Sequence, residues 1–177
     1  ELVIEKEINK SKNAYFYMAL QSSFYYFISS LFKNQFPNYI HHRNFSTRNE
    51  LSIGFLNFFR YVRNKLTEKN FKKKYKNKFR KKYFFVPLQT VTDSQIKFHS
   101  NFDSIKEFIN YVLISFSKYA PKEKIIVFKH HPMDRGRINH YKYIRKLSKE
   151  LGVAHRVHIV YDVHLPTMLK NAISTVT

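Results

Sequence analysis

The chain contains no cysteine, which excludes a disulfide framework and thiolate chemistry and fits the cytoplasm. Glycine is scarce, at three residues, so loops that bring backbone close to a phosphate have few places to form. The corresponding signatures are missing: there is no P-loop, no G-x-G-x-x-G, no G-x-S-x-G elbow and no H-E-x-x-H. No D-x-D pair is available to hold a divalent metal on a nucleotide sugar, so no metal ligands are assigned and any leaving-group charge must be neutralised by side chains. Acidic residues are few, 12 against 32 Lys and Arg, for a formal net charge of +20. No recognisable secretory leader opens the sequence. Because it starts at Glu1 and stops at Thr177 within the apolar run AISTVT, it is expected to be part of a longer protein.

What is present is aromatic and basic. Phe and Tyr make up 18% of the chain, and residues 60–82 hold 12 of the 32 basic residues against one acid, Glu68. Such a block attracts phosphates on nucleic acid or on an anionic membrane, or is simply a solvated helix. Residues 14–32 carry no charge over 19 positions, near the roughly 20 that cross a bilayer. Four serines and Gln21 make that stretch a poor span, and a buried or interface-lying helix suits it better. From Thr47 to Lys82 the pattern is helical, with Leu51, Phe55, Phe58, Phe59, Val62 and Leu66 at three- and four-residue spacings. Ser46 or Thr47 could cap it, with Glu50 closing a capping box. Adjacent His41 and His42 would point to opposite faces of a strand, which spoils chelation.

The pattern changes at Tyr83. Short apolar runs at 83–88, 125–128, 157–161 and 173–176 read as buried strands, and amphipathic stretches at 103–119, 140–151 and 166–172 read as the helices between them. That alternation predicts a parallel sheet with right-handed crossovers, a Rossmann-like half of a doubly wound domain. The expected organisation is therefore a helical, basic, aromatic-rich region over 1–82 and an α/β domain over 83–177.

In such a sheet, ligands bind beyond the carboxyl ends of the strands. The first strand end delivers Gln89, Asp93, Ser94 and Gln95; the second delivers Lys129, His130, His131, Pro132, Asp134, Arg135 and Arg137; the third delivers Asp162 and His164. Acid, amide, lysine and histidine converging on one crevice suit transfer from a phosphate-bearing donor: cations stabilise the departing phosphate, and a carboxylate acts as base or nucleophile.

The segments PLQTVTDSQIKFHS, SFSKYAPKEKIIVFKHHPMDRG and VHLPTMLKNAISTVT resemble those of the capsular polysaccharide biosynthesis and export proteins of Gram-negative bacteria, of the KpsS type and related to the KpsC type. The resemblance covers about residues 83–177, with a weaker echo at Tyr39–Arg43. It implies a glycosyltransferase of GT-B-like architecture that moves β-Kdo from CMP-Kdo to a lysophosphatidylglycerol-type or Kdo-linker acceptor, needs no further cofactor, and works at the cytoplasmic face of the inner membrane. Other capsule assembly and export proteins are implied partners. By the same resemblance Asp93 matches the catalytic carboxylate, and Lys129, His131 and Pro132 match a K-H-H-P motif near the CMP phosphate and Kdo carboxylate. The rival reading is a basic nucleic-acid-binding protein, with Phe71, Tyr75 and Phe79 stacking bases among the lysines. No helix-turn-helix, zinc-finger or RNP signature accompanies it. A non-catalytic export scaffold is the third.

Overall fold

The computed structural model describes residues 14–35, 47–90, 102–136 and 138–177. The elements are α1 (Ala14–Leu31), α2 (Thr47–Thr67), α3 (Lys69–Lys76), β1 (Tyr83–Pro87), α4 (Ile105–Tyr119), β2 (Ile125–Lys129), α5 (Tyr141–Glu150), β3 (Val157–Val160), α6 (Leu165–Asn171) and β4 (Ser174–Thr175). The chain divides into two compact units, 1–54 and 55–177. Among the described residues no helix is long and apolar enough to cross a membrane.

The four strands form one parallel sheet in the order β3-β2-β1-β4. The chain builds outward from β1 through β2 to β3, then crosses back to place β4 on the other side of β1. That reversal puts a topological switch point between β1 and β4, where open α/β sheets form their ligand crevices.

Alternation along each strand feeds two cores. Val86, Ile126, Phe128, Val157 and Ile159 face α4 and α5, meeting Ile105, Ile109, Leu113, Phe116 and Ile144. Tyr83, Phe85, Ile125, Val127 and Val160 face the other way, against Met168 and Ala172 near α6 and against Tyr75 of α3. Both faces being covered explains why the strands read as continuous apolar runs.

Two helix ends show how sequence sets the boundaries. Ser104 caps α4 by accepting from the Glu107 backbone N–H at 3.2 Å, and the Glu107 carboxylate accepts from the Asp103 N–H at 2.8 Å. Gly152 sits at φ 68° just past α5, and the bonds Gly152 N–H to Lys149 O and Val153 N–H to Ser148 O close a Schellman cap. The capping box expected around Ser46, Thr47 and Glu50 lies outside the described side chains.

The expected long helix over 47–82 is interrupted at Glu68, and its second part is a structural layer. Tyr75 is fully buried, and its hydroxyl lies 2.6 Å from His158 Nδ1. Phe71 and Phe79 pack on either side of it, 5.9 and 5.6 Å between ring centroids. The compact unit holding the sheet begins at Phe55 and so includes this helix. The three rings read as base-stacking platforms are committed to the core.

Replacing Tyr75 with Ala should cost about 3–5 kcal/mol, as for other buried aromatic truncations, in urea unfolding at neutral pH. Lys73→Ala, on the exposed side of the same helix, should stay within about 0.5 kcal/mol. Similar small effects at both positions would mean that α3 is a peripheral linker.

Candidate functional site

Beyond the carboxyl ends of β2 and β3 lies a cluster of charged and polar groups held largely out of water. Lys129, the last residue of β2, is buried, and its Nζ lies 3.4 Å from the His130 carbonyl oxygen. Burial pushes its ammonium below the usual lysine range, while Asp162 and Glu68 nearby act to hold the charge on it. Arg135 follows the 3-10 turn Pro132–Asp134 and is buried, its Nη2 donating to Asp162 Oδ1 in an ion pair. Its Nη1 donates to Asn57 Oδ1 at 2.9 Å, and its guanidinium lies over the Tyr61 ring at 5.1 Å.

The other wall is α2. Asn64 Nδ2 donates to Asp162 Oδ2 at 3.1 Å, and Arg60 Nη1 donates to the Arg135 carbonyl at 2.6 Å. Glu68, at the break between α2 and α3, accepts from the backbone N–H groups of Tyr161 and Asp162, both at 2.8 Å. Burial raises its carboxyl above the ordinary value, and the two N–H groups partly offset that. Asn57, Tyr61, Asn64 and Glu68 recur at spacings of four, three and four, one stripe of a helix. Sequence reasoning missed this stripe, although its spacing was readable beside the apolar one.

Behind the cations lies a stack of rings. His130 packs between His140, at 5.4 Å, and Tyr161, at 4.8 Å. Burial, then His140 and the cations Lys129 and Arg60, push His130 down to about 3, so it is neutral at any physiological pH. The Nε2 atoms of both histidines are buried without a hydrogen-bond partner.

The residues anticipated from sequence are distributed unevenly. Lys129, Arg135 and Asp162 come together in the ion cluster, and His130 lies in the ring stack. His131 is half-buried, its Nδ1 accepting from the Met133 N–H at 3.3 Å, and Pro132 opens the same 3-10 turn. Asp134 is buried in that turn and accepts from the Ile138 N–H through its carbonyl. Gln89 and His164 are exposed, His164 Nδ1 lying 2.9 Å from Thr167 Oγ1. Asp93, Ser94, Gln95 and Arg137 lie outside the described residues, as do His41 and His42. Among the described residues, no group of three or more His, Asp or Glu is placed to hold a metal ion.

Chemically, the two carboxylates and two cations of Glu68, Asp162, Lys129 and Arg135 balance one another. Arg135 is held by Asp162, Asn57 and the Tyr61 ring, which makes it a brace. Lys129, with its single 3.4 Å contact to a carbonyl oxygen, has donor capacity to offer a ligand anion.

Fold and cluster together define an α/β domain with a buried polar cluster at the carboxyl ends of a parallel sheet. The profile of the family described as "Capsule polysaccharide biosynthesis protein" matches residues 3–177. The chain is 37% identical over 153 residues to the Capsule polysaccharide export protein KpsS of Escherichia coli, covering 86% of this chain and 39% of that protein. It is 36% identical over 150 residues to the Capsule polysaccharide modification protein LipB of Neisseria meningitidis, covering 83% of this chain and 36% of that one. No solved structure matches it. The chain belongs to the capsule polysaccharide biosynthesis protein family, and it spans about two fifths of the length of the curated relatives it matches.

The buried imidazoles set an acid limit. A histidine whose folded pKa lies below its unfolded value of about 6.5 supports the fold above that pH and loses its contribution as pH falls toward the folded value. His130, at about 3, and His158, at about 4, both act in that direction. Glu68, shifted upward, acts oppositely, its contribution fading as pH rises through its folded value. Between pH 7 and pH 5, His130 alone should remove about 2 kcal/mol of unfolding free energy. His130→Phe should make the pH dependence of the urea midpoint shallower over that interval; an unchanged slope would show that His130 is protonated in the folded state. Within the ion cluster, Asp162→Ala should cost about 3–5 kcal/mol by stranding Arg135. The double variant with Arg135→Met should recover part of that loss in the same assay.

Proposed function

We propose that this chain contributes the nucleotide-sugar-binding half of a capsule glycosyltransferase of GT-B type. The reaction transfers β-Kdo from CMP-Kdo to a lysophosphatidylglycerol-type or Kdo-linker acceptor at the inner face of the inner membrane. The observation that carries the reading is the K-H-H-P segment at the carboxyl end of β2, beside the end of β1 that leads into the D-S-Q segment, in a chain of the capsule family. In this reading Lys129 and His131 neutralise the departing CMP. Its single phosphate carries less charge than a diphosphate and suits a site that works with side chains alone. Asp93 is the nucleophile or the electrostatic stabiliser, since donor and product share the β configuration. Gln89, Ser94 and Gln95 line the donor seat, with His130 and Asp134 holding the loop behind it and Arg135 bracing that loop through Asp162. The name of the Escherichia coli relative, an export protein, favours one second reading, a non-catalytic part of the export assembly.

The two readings separate in a transfer assay on the complete polypeptide that carries this chain, with CMP-Kdo and a lysophosphatidylglycerol-type acceptor. CMP release should fall below detection for Asp93→Ala and by about 100-fold for Lys129→Ala, a loss typical of removing one charge-stabilising donor. Turnover retained by Asp93→Ala would remove the assignment of that residue. No turnover by the unaltered protein, with capsule export still dependent on it in cells, would favour the export reading.

A further inference from the structure

α2 is amphipathic in the inverted sense. Its polar stripe of Asn57, Tyr61, Asn64 and Glu68 faces the charged crevice, so the opposite face must carry the apolar residues outward. Phe55, Phe58, Phe59 and Leu66 are 73%, 68%, 59% and 61% exposed, with Val62 between them at 39%. At about 100° per residue these five fall within an arc of about 100°, a continuous apolar strip. Single exposed apolar residues are ordinary, but a contiguous strip of this size on a soluble surface marks an interaction site.

Charge identifies the occupant. On the same projection Arg63 and Lys65 flank the strip, each about 80° from its centre on opposite sides, and both are exposed. Lys69 and Lys73 of α3 are exposed as well. No Asp or Glu occurs from Phe55 to Lys82 except Glu68, which is turned inward onto β3. A Phe-rich strip bordered on both sides by cations with long apolar stems, and free of carboxylates, matches a helix lying in an anionic lipid interface. There the rings enter the acyl boundary and the basic heads reach the phosphates. Nucleic acid fits less well: the strip has no cation within it, and Val62 and Leu66 have no ring to stack on a base.

We infer that the outward face of α2 docks the protein onto an anionic phospholipid bilayer, with Phe55, Phe58, Phe59, Val62 and Leu66 inserted and Arg63 and Lys65 at headgroup level. This deepens the reading above, whose acceptor is a phospholipid. It also fixes an orientation: the polar stripe of the same helix then faces away from the lipid, toward the strand ends.

The test is co-sedimentation of the 177-residue chain with vesicles of phosphatidylcholine alone or with about one third phosphatidylglycerol. No donor sugar is present, so the outcome is independent of transfer activity. The expected result is binding to the anionic vesicles, weakened at least about tenfold by the double variant Phe55→Ser, Phe59→Ser. It should be unchanged by Tyr111→Ser with Tyr119→Ser, two exposed rings on α4. Thermal melts of both double variants should match that of the parent. Equal vesicle binding by parent and Phe variant would overturn the proposal, leaving a charge-only contact made elsewhere. Absence of vesicle binding would also overturn it. Self-association lost in the Phe variant would then assign the strip to a second copy, and lost oligonucleotide binding would assign it to nucleic acid.

Discussion

The constraint on which the rest of this structure depends is the pairing of charge at the ends of β2 and β3. Lys129, Arg135, Asp162 and Glu68 are held largely out of water, where each ion alone would cost several kcal/mol. They are tolerable because each lies close to opposite charge or to backbone groups of the right polarity. Arg135 is matched by Asp162 and Asn57, and Glu68 by two peptide N–H groups. Asn57, Asn64 and Glu68 of this network come from α2 and the break after it. The helix must therefore present its polar side to the sheet, and its apolar side has nowhere to go but outward. Arrangement of the site and exposure of the Phe strip are two consequences of one requirement.

The same logic explains the basic block. Lysines at 72–74, 76, 78, 81 and 82 look like an unstructured cationic tract when counted. Tyr75, Phe71 and Phe79 recur every four residues and fill the second face of the sheet. A helix so rich in lysine is held down by one fully buried tyrosine with rings on either side, and Lys73, Lys74 and Lys78 are exposed at its periphery. Lys74 and Lys78 lie over the Phe79 ring, at 5.3 and 5.8 Å, so part of the cationic load is stabilised by the aromatic layer itself.

Strands and crossover helices were legible because both obey short-range rules. Runs expected at 83–88, 125–128 and 157–161 lie within a residue of β1, β2 and β3, and the helix expected over 140–151 is α5, ended by Gly152. The direction in which α2 faces was not legible. Periodicity reveals that a helix has two unlike faces, but which face turns inward depends on what waits there, and here that is a set of ions 78 and 98 positions away in sequence. Glu68 illustrates the point. As the single acid of a basic block it looked incidental, yet it is the group that binds the helices to the end of β3. The rule that strand ends carry polar groups pointed to Lys129 and Asp162, which the fold brings into one ion cluster, whereas the bracing of Arg135 depends on contacts from α2 that no local pattern reveals.

A rigid helix with two committed faces also couples what lies on either side of it. α2 has 21 residues, about 30 Å of continuous helix, and its contacts with the crevice run from Asn57 to Glu68 at the break. A surface that captures the outward strip therefore fixes the attitude of the strand ends as well, because the helix cannot roll without breaking the pairs that keep the buried ions satisfied. Under the proposed reading, with a lipid as acceptor, that restriction would have a use: the strand ends would be held at one angle and height above the surface, and the search for acceptor would be reduced to motion in the plane. The buried ion cluster, which contributes little to net stability once desolvation is counted, would then be retained for the geometry it imposes.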